Sequence, residues 1–371
     1  MKMALVYDYL NQYGGGERVL RTLMDMFPEA PIYTLFHDEE GTWKQFPRER
    51  IAGTSWLDRK IVARYHRAFI PFFPRAAESI DLGDRYDLIV TVGAGYAKGV
   101  SYRSGYHLDY CFTPIRYAWE PATYLPSKFG RVRGAMMRAA GAPVLRYLKK
   151  WDWRAGQRPN KIMAISEYIA GRVRECWGRE ASVLYPPVDK TVFFMELPSK
   201  YRQYYLAVGR FLHYKKFDLV ISAFNELKLP LKVVGRGPEF FRLAALNTSP
   251  FTSFITAPMS DEEMRGLYNN AVALIFPQVE DFGLVAAEAI ACGTPVVAYR
   301  WGGGAAEIVR DGENGILMDN QSSEAIIEAV RRLATSRRFD ASKVEATAVR
   351  FSLENFKNSL REEIGKISLG T

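Results

Sequence analysis

Val279-Glu280-Asp281-Phe282-Gly283-Leu284-Val285-Ala286-Ala287-Glu288-Ala289-Ile290-Ala291-Cys292-Gly293 is the stretch from which the rest of the chain can be read. An apolar run, Ala271 to Pro277, precedes it, short and bounded like a buried strand. Gly293-Thr294-Pro295 and a second apolar run, Val296-Val297-Ala298, follow. The middle therefore reads as the crossover helix of a strand–helix–strand unit, starting near Phe282 and stopped at Gly293. That helix is apolar nearly all round, so both its sides are expected to be covered by protein. Glu288 is the odd residue in it. An unpaired carboxylate there is costly, so it is either protonated or has a dedicated partner. Glu280 falls in the loop ahead of the helix, whose start offers free backbone N–H groups and a positive dipole end suited to an anion. Two carboxylates flanking such a helix start fit a ligand that combines hydroxyls with phosphate, as a sugar nucleotide does. The plainer alternative is a solvated acid at a helix start and one core Glu bonded to backbone.

Composition narrows the field. A chain of 371 residues is too long for one typical core, so two domains are expected. With 48% apolar and 25% charged residues it reads as an ordinary globular protein. No apolar run reaches the roughly 18 residues of a membrane span. The start, Met1 to Val6, meets Asp8 at once and reads as a first strand, not a signal peptide. Cys111, Cys176 and Cys292 are isolated, which fits a reducing cytoplasm. Four scattered His residues and the lack of any Asp-x-Asp argue against a metal site, so Arg, Lys and helix ends are expected to supply positive charge, with no cofactor. The formal charge of +9 calls for an anionic partner. From Lys128 to Arg154 there are eight Lys/Arg and a single acid, interleaved with Met136, Met137, Val144, Leu145, Leu148, Trp151 and Trp153. That stretch suits an anionic membrane surface, or else a solvated basic helix covering its domain. No nucleic-acid motif is present.

Glu280-x7-Glu288 with Phe282-Gly283 inside it and Cys292-Gly293-Thr294-Pro295-Val296-Val297 behind it resembles the signature of retaining GT-B glycosyltransferases of the glycosyl-group-1 (GT4) family. The resemblance implies an α/β protein of two Rossmann-like βαβ domains facing a cleft. It implies that Glu280 contacts hydroxyls of the donor sugar, that the amides of Phe282, Gly283 and Leu284 hold sugar and β-phosphate, and that Glu288 binds the ribose diol.

Taken in order, Lys2–Asp8 reads as a strand, followed by Asn11-Gln12-Tyr13-Gly14-Gly15-Gly16-Glu17-Arg18-Val19 and a helix from about Gly16. The glycines form either a plain turn or a close-approach loop. In the family, the amides of Gly15 and Gly16 would face the donor diphosphate. Pro31–Phe36 and Asp87–Val92 read as strands; between them, residues 43–78 are rich in Arg and aromatics and suit an acceptor lining. Gly93 to Gly99 reads as a loop at a strand's carboxyl end, where α/β sheets present ligand sites. Tyr110-Cys111-Phe112-Thr113-Pro114-Ile115-Arg116-Tyr117-Ala118-Trp119 resembles a Tyr-Cys-His-Thr-Pro-x-Arg-Tyr-x-Trp pattern of bacterial polysaccharide mannosyltransferases, with Phe112 where relatives carry His facing the donor sugar. Arg116 is either a phosphate contact or a structural ion pair. Lys161–Ile165, a helix capped by Ser166, and Ser182–Tyr185 close the first half.

Pro186 to Lys200 has no period and reads as the interdomain linker. The expected division is 1–187 for an acceptor-binding domain, 188–350 for a nucleotide-sugar domain, and 351–371 for a closing helix packing back on the first domain. Tyr204–Val208 leads into Gly209-Arg210-Phe211-Leu212-His213-Tyr214-Lys215-Lys216 and the helix Phe217–Leu227. Arg210 offers a planar fork and Lys215 a movable charge at a strand's carboxyl end. In the family these two cations neutralise the diphosphate leaving group. Leu231–Val234, Ser253–Thr256 and Ala271–Phe276 read as strands, Asp261–Asn270 as a helix, and Arg300 to Glu307 as a further glycine loop supporting the donor.

The resemblance implies a cytoplasmic hexosyltransferase, or one peripheral at the inner membrane face. It would use GDP-mannose, with UDP-glucose next, and a polysaccharide or lipid-linked oligosaccharide acceptor. Phe112 leaves open a sugar-nucleotide-binding protein with weak or no transfer. A doubly wound NAD enzyme is disfavoured, since no Gly-x-Gly-x-x-Gly follows a strand.

Overall fold

The computed structural model describes residues 1–121, 131–196, 202–335 and 339–369. Residues 128–130 of the basic stretch and 197–200 of the linker lie outside the described residues, and of 131–140 only the backbone is described. The chain divides into two compact units, Met1–Leu184 with Ser359–Thr371, and Tyr185–Asn358. The closing helix, Leu353–Leu369, starts in the second unit, and its residues from Ser359 onward belong to the first.

In the first unit the apolar runs form seven strands, β1 (Met3–Tyr7), β2 (Ile32–Thr34), β3 (Ile51–Thr54), β4 (Leu88–Gly93), β5 (Tyr106–Cys111), β6 (Lys161–Ala164) and β7 (Ser182–Val183). They pair in the order β3-β2-β1-β4-β5-β6-β7, every neighbour parallel. The second unit holds β8 (Tyr204–Val208), β9 (Leu231–Val234), β10 (Thr252–Ile255), β11 (Ala271–Phe276), β12 (Val296–Tyr299) and β13 (Gly315–Met318). Their order is β10-β9-β8-β11-β12-β13, again all parallel. Parallel neighbours need crossovers, and helices such as Gly15–Met26, Phe217–Leu227 and Leu284–Ala291 supply them. In both sheets strand order reverses once, between β1 and β4 and between β8 and β11. Ligands of doubly wound sheets sit off the carboxyl ends of such strands.

β8, β9 and β11 coincide with the runs read from the sequence, because each is an apolar segment, with Lys232 the one charge among them, cut off by Gly, Pro or Asn. Three strands left no such mark, β5 among them because His107 and Asp109 interrupt its apolar residues. β3 is a half-exposed edge strand with Gly53 inside it, and β13 opens on Gly315. The central helix begins at Leu284, not Phe282, since Gly283 takes the N-cap with φ 100°. Ser166 caps its helix as expected, accepting the Ile169 N–H at 3.1 Å, a contact worth about 1 kcal/mol. From Arg131 onward the basic stretch lies on one helix, Arg131–Gly156. Its Leu148, Trp151 and Asp152 are buried in the first unit, so the C-terminal part of this helix covers that unit's core.

Candidate functional site

The second unit's switch point is built from both of its strands. After β8, the Gly209–Phe211 backbone is held by the turn that follows β9: Gly209 N–H donates to Val234 O at 3.0 Å and Phe211 N–H to Arg236 O at 2.8 Å. The fully buried Phe211 ring anchors the segment, while the Arg210 side chain points to solvent and has no ion pair among the described residues. One 3-10 turn, His213–Lys215, then leads to Lys216 in the left-handed conformation (φ 57°) ahead of the helix Phe217–Leu227. That conformation costs a non-glycine residue roughly 1–2 kcal/mol. It ends the turn so that Lys215 Nζ reaches Glu280 Oε1, which follows β11.

Glu280 is fixed from behind. Its N–H donates to Gly302 O at 3.0 Å, and its carbonyl accepts the Gly304 N–H at 2.9 Å. The approach is so close that a Cβ on residue 304 would lie 2.6 Å from the Cα of Phe282, so only glycine fits. The Arg300–Glu307 loop therefore acts first as a brace for the Glu280 segment. Phe282 points inward, its ring 5.8 Å from Tyr185 and 5.4 Å from Phe351. Only its backbone is left for a ligand. The helix Leu284–Ala291 starts directly after it, and the N–H groups of Leu284 and Val285 have no intrahelical acceptor.

Glu288 is buried on that helix, and its dedicated partner is Tyr268, whose hydroxyl donates to Oε2 at 3.0 Å. Tyr268 is wholly enclosed, packed 6.0 Å from the Phe193 ring. Neighbouring Cys292 is no nucleophile: burial, reinforced by Glu288, pushes its thiol well above the ordinary range.

The first unit's switch point is occupied differently. Asp8, just past β1, accepts N–H bonds from Ala94 (2.6 Å), Tyr96 (2.7 Å) and Ala97 (2.6 Å) in the loop after β4. Backbone amides that would suit an external anion are thus filled by the chain's own carboxylate. Gly93 is required there, since a Cβ would meet the Asp8 carboxylate at 2.5 Å. Burial raises the Asp8 carboxyl, opposed by those amides and by Lys98. Lys98 is itself buried, 2.7 Å from Asp152 Oδ1. The other oxygen of Asp152 accepts from Trp119 Nε1 (2.7 Å), Trp177 Nε1 (2.8 Å) and the Ile115 N–H (3.4 Å). Asp152 thereby fixes both ends of the segment carrying Arg116, which opens a single helical turn, Arg116–Trp119. Gly15 and Gly16 begin the helix Gly15–Met26; a Cβ on Gly16 would strike the Tyr7 hydroxyl and lie 2.9 Å from the Phe112 ring. Phe112 is half-buried, edge-on to Tyr110 at 5.6 Å.

Of the residues singled out from the sequence, the fold gathers Arg210, Lys215, Glu280, Phe282, Gly283 and Leu284 at one sheet end, with Glu288 about one helical turn on. Gly15, Gly16, Phe112 and Arg116 collect in the first unit. Asp8, Tyr268 and Asp152 were missed. Asp8 and Asp152 are acids inside apolar surroundings, which was the available signal; Tyr268 gave none. Among the described residues no three His, Cys, Asp or Glu side chains are arranged to hold a metal ion, and no helix is long and apolar enough to cross a membrane.

Residues 189–348 match the family model described as glycosyl transferases group 1. They are a glycosyl transferases group 1 domain. The chain is 30% identical over 191 residues to an uncharacterised glycosyltransferase of Methanocaldococcus jannaschii, covering 51% of this chain and 52% of the other. It is 29% identical over 233 residues to the GDP-mannose-dependent alpha-(1-6)-phosphatidylinositol monomannoside mannosyltransferase of Mycolicibacterium smegmatis, covering 55% and 60%. The chain thus spans between half and three-fifths of the length of these two relatives. Sucrose-phosphate synthase of Thermosynechococcus elongatus superposes with a TM-score of 0.72 at 15% identity, over 100% of both chains. That likeness concerns the fold, and the fold is GT-B, as the Glu280-x7-Glu288 resemblance implied.

Proposed function

We propose that the chain is a retaining, metal-independent hexosyltransferase acting on a nucleotide diphosphate sugar, GDP-mannose before UDP-glucose. The acceptor is a polysaccharide or lipid-linked oligosaccharide. The observation that carries this reading is the meeting of Lys215 and Glu280 at the switch point of a group 1 domain, beside a helix start and an exposed Arg210. A phosphate there receives a mobile ammonium, a guanidinium fork and two amides, and a sugar's hydroxyls receive a carboxylate. Departure of the nucleoside diphosphate is the hard step. The bond from the anomeric carbon to the β-phosphate oxygen breaks with its electron pair going to that oxygen. Arg210, Lys215 and the amides of Gly283 and Leu284 stabilise the charge that develops. The acceptor hydroxyl adds on the face the diphosphate leaves, and its proton passes to the departing phosphate, so configuration is kept. Glu280 positions the sugar and Glu288 the ribose. The preference for GDP-mannose leans on the Tyr110–Trp119 resemblance to mannosyltransferases and on the mannosyltransferase relative.

The test is a donor panel with radiolabelled transfer, with and without EDTA. Arg210→Ala should lower turnover at least tenfold, matching the roughly 1.5–3 kcal/mol of a charge-assisted contact. Undiminished transfer in Arg210→Ala, or activity abolished by EDTA, would sink this assignment.

A second reading has its own support. Phe112 is engaged against Tyr110 and faces Gly16, and it offers no hydrogen bond to a sugar hydroxyl. In that reading the protein binds a sugar nucleotide and transfers poorly. Phe112→His should then raise transfer; an unchanged rate leaves the first reading standing.

A further inference from the structure

From Trp56 to Arg75 the first unit turns outward side chains that a water-facing surface rarely gathers. Trp56, Ile61, Tyr65 and Phe72 are 51%, 54%, 52% and 49% exposed. Arg59, Lys60, Arg64, Arg67 and Arg75 stand exposed among them, and no acid lies between Asp58 and Glu78. The helix Lys60–Phe69 buries Val62 and Ala63, leaving Ile61 and Tyr65 outward beside Lys60 and Arg64. Trp56 and Phe72 close the patch, their rings edge to face at 6.4 Å.

The patch is held in place. The helix backbone breaks at Tyr65 (φ −119°, ψ 31°), and Asn11 Nδ2 donates to the Ala63 carbonyl at 3.0 Å and lies 3.1 Å from His66 Nδ1. Asn11 belongs to the glycine loop after β1, so the surface segment and that loop are tied together.

We propose that this face docks on an anionic lipid bilayer. Charge complementarity selects the partner: cations without neighbouring acids reach lipid phosphates, while the aromatic rings and Ile61 enter the boundary between headgroup and acyl chain. A soluble polyanion would satisfy the cations and give Ile61 and Tyr65 no apolar environment. A helix of ten residues lies in the interface and does not span it. The patch adjoins the basic helix Arg131–Gly156, whose Tyr147 lies within electrostatic reach of Arg75, but is formed by its own segment, and the proposal does not rest on the transfer reaction.

The experiment is co-sedimentation of the full chain with phosphatidylcholine vesicles and with equimolar phosphatidylcholine–phosphatidylglycerol vesicles. Binding is expected only to the mixed vesicles and should weaken as salt rises. Arg64→Glu with Arg67→Glu should lower partition at least 25-fold, since each cation near an anionic leaflet is worth roughly fivefold. Ile61→Ser with Tyr65→Ser should also weaken it, with the charges intact. Wild-type-like vesicle binding by the charge variant, wild-type-like vesicle binding by the Ser variant, or no binding by wild type overturns the proposal. Where a double variant melts early, quenching of tryptophan emission by brominated lipid replaces it: quenching equal in wild type and Trp56→Phe overturns the proposal, and quenching lost in Trp56→Phe supports it. A GDP thermal-shift assay on the same samples separates this result from the donor reading, which fails if no nucleotide shifts the melt whatever the vesicles do.

Discussion

Lys215 Nζ is ion-paired with Glu280 Oε1, each side chain withdrawn from water at 13% and 14% exposure. Two strands that are neighbours only in space, β8 and β11, thus deliver opposite charges to one point. A diphosphate arriving there competes with Glu280 for Lys215. Glu280→Gln should therefore bind free GDP as tightly as wild type or more so, while its transfer rate falls at least tenfold. Isothermal titration and initial rates measure the two effects. GDP affinity reduced tenfold in Glu280→Gln would mean that the carboxylate does not compete with the nucleotide.

Tyr268 does not reach solvent, and its hydroxyl donates to Glu288. Tyr268→Phe keeps the ring and removes the hydroxyl that donates to Glu288, a loss of about 1–3 kcal/mol. With Glu288 on the ribose, the donor KM should rise at least fivefold while kcat changes less. Equal falls in kcat and kcat/KM would point to a general loss of structure.

Asp152 neutralises Lys98 inside the first unit and receives two indole N–H groups. Removing one partner of such a pair strands the other charge, at about 3–5 kcal/mol. Asp152→Ala should unfold at markedly lower denaturant in an equilibrium melt. A midpoint within error of wild type would show that Lys98 finds water or another acid.

His107 and Asp109 both bond to Thr91, at 2.8 and 2.7 Å, and burial shifts both. Desolvation lowers His107 to about 3 and raises Asp109 to about 6. The signs oppose. His107 has a depressed folded-state value, so its contribution is present above about pH 6.5 and lost as pH falls toward 3. Asp109 has a raised value, so its contribution is present below about pH 4 and lost as pH rises through 6. The two largely offset each other between pH 4 and 6. His107→Asn leaves the Asp109 slope alone, so its melting temperature should shift upward, relative to wild type, on going from pH 7 to pH 5. An unchanged difference would show that His107 does not titrate with folding.

The sequence by itself determined what is local. β8 and β11 were legible because a buried parallel strand is apolar on both faces, β9 was legible despite Lys232, and Gly209, Gly235 and Pro277 cut each run cleanly. Glu280 and Glu288 were legible as candidates because charge beside such runs needs a reason, and Arg210 and Lys215 through the resemblance to the family, since by themselves they read as surface charge. Tertiary structure alone decided the partners. Which strands flank the switch point depends on sheet order, and no run of residues encodes that order. Tyr268 meets Glu288, Asp8 fills the amides of residues 94–97, and Asp152 gathers two indoles and a lysine only after distant segments have packed. A buried polar group announces in sequence that it must be satisfied; packing geometry chooses what satisfies it.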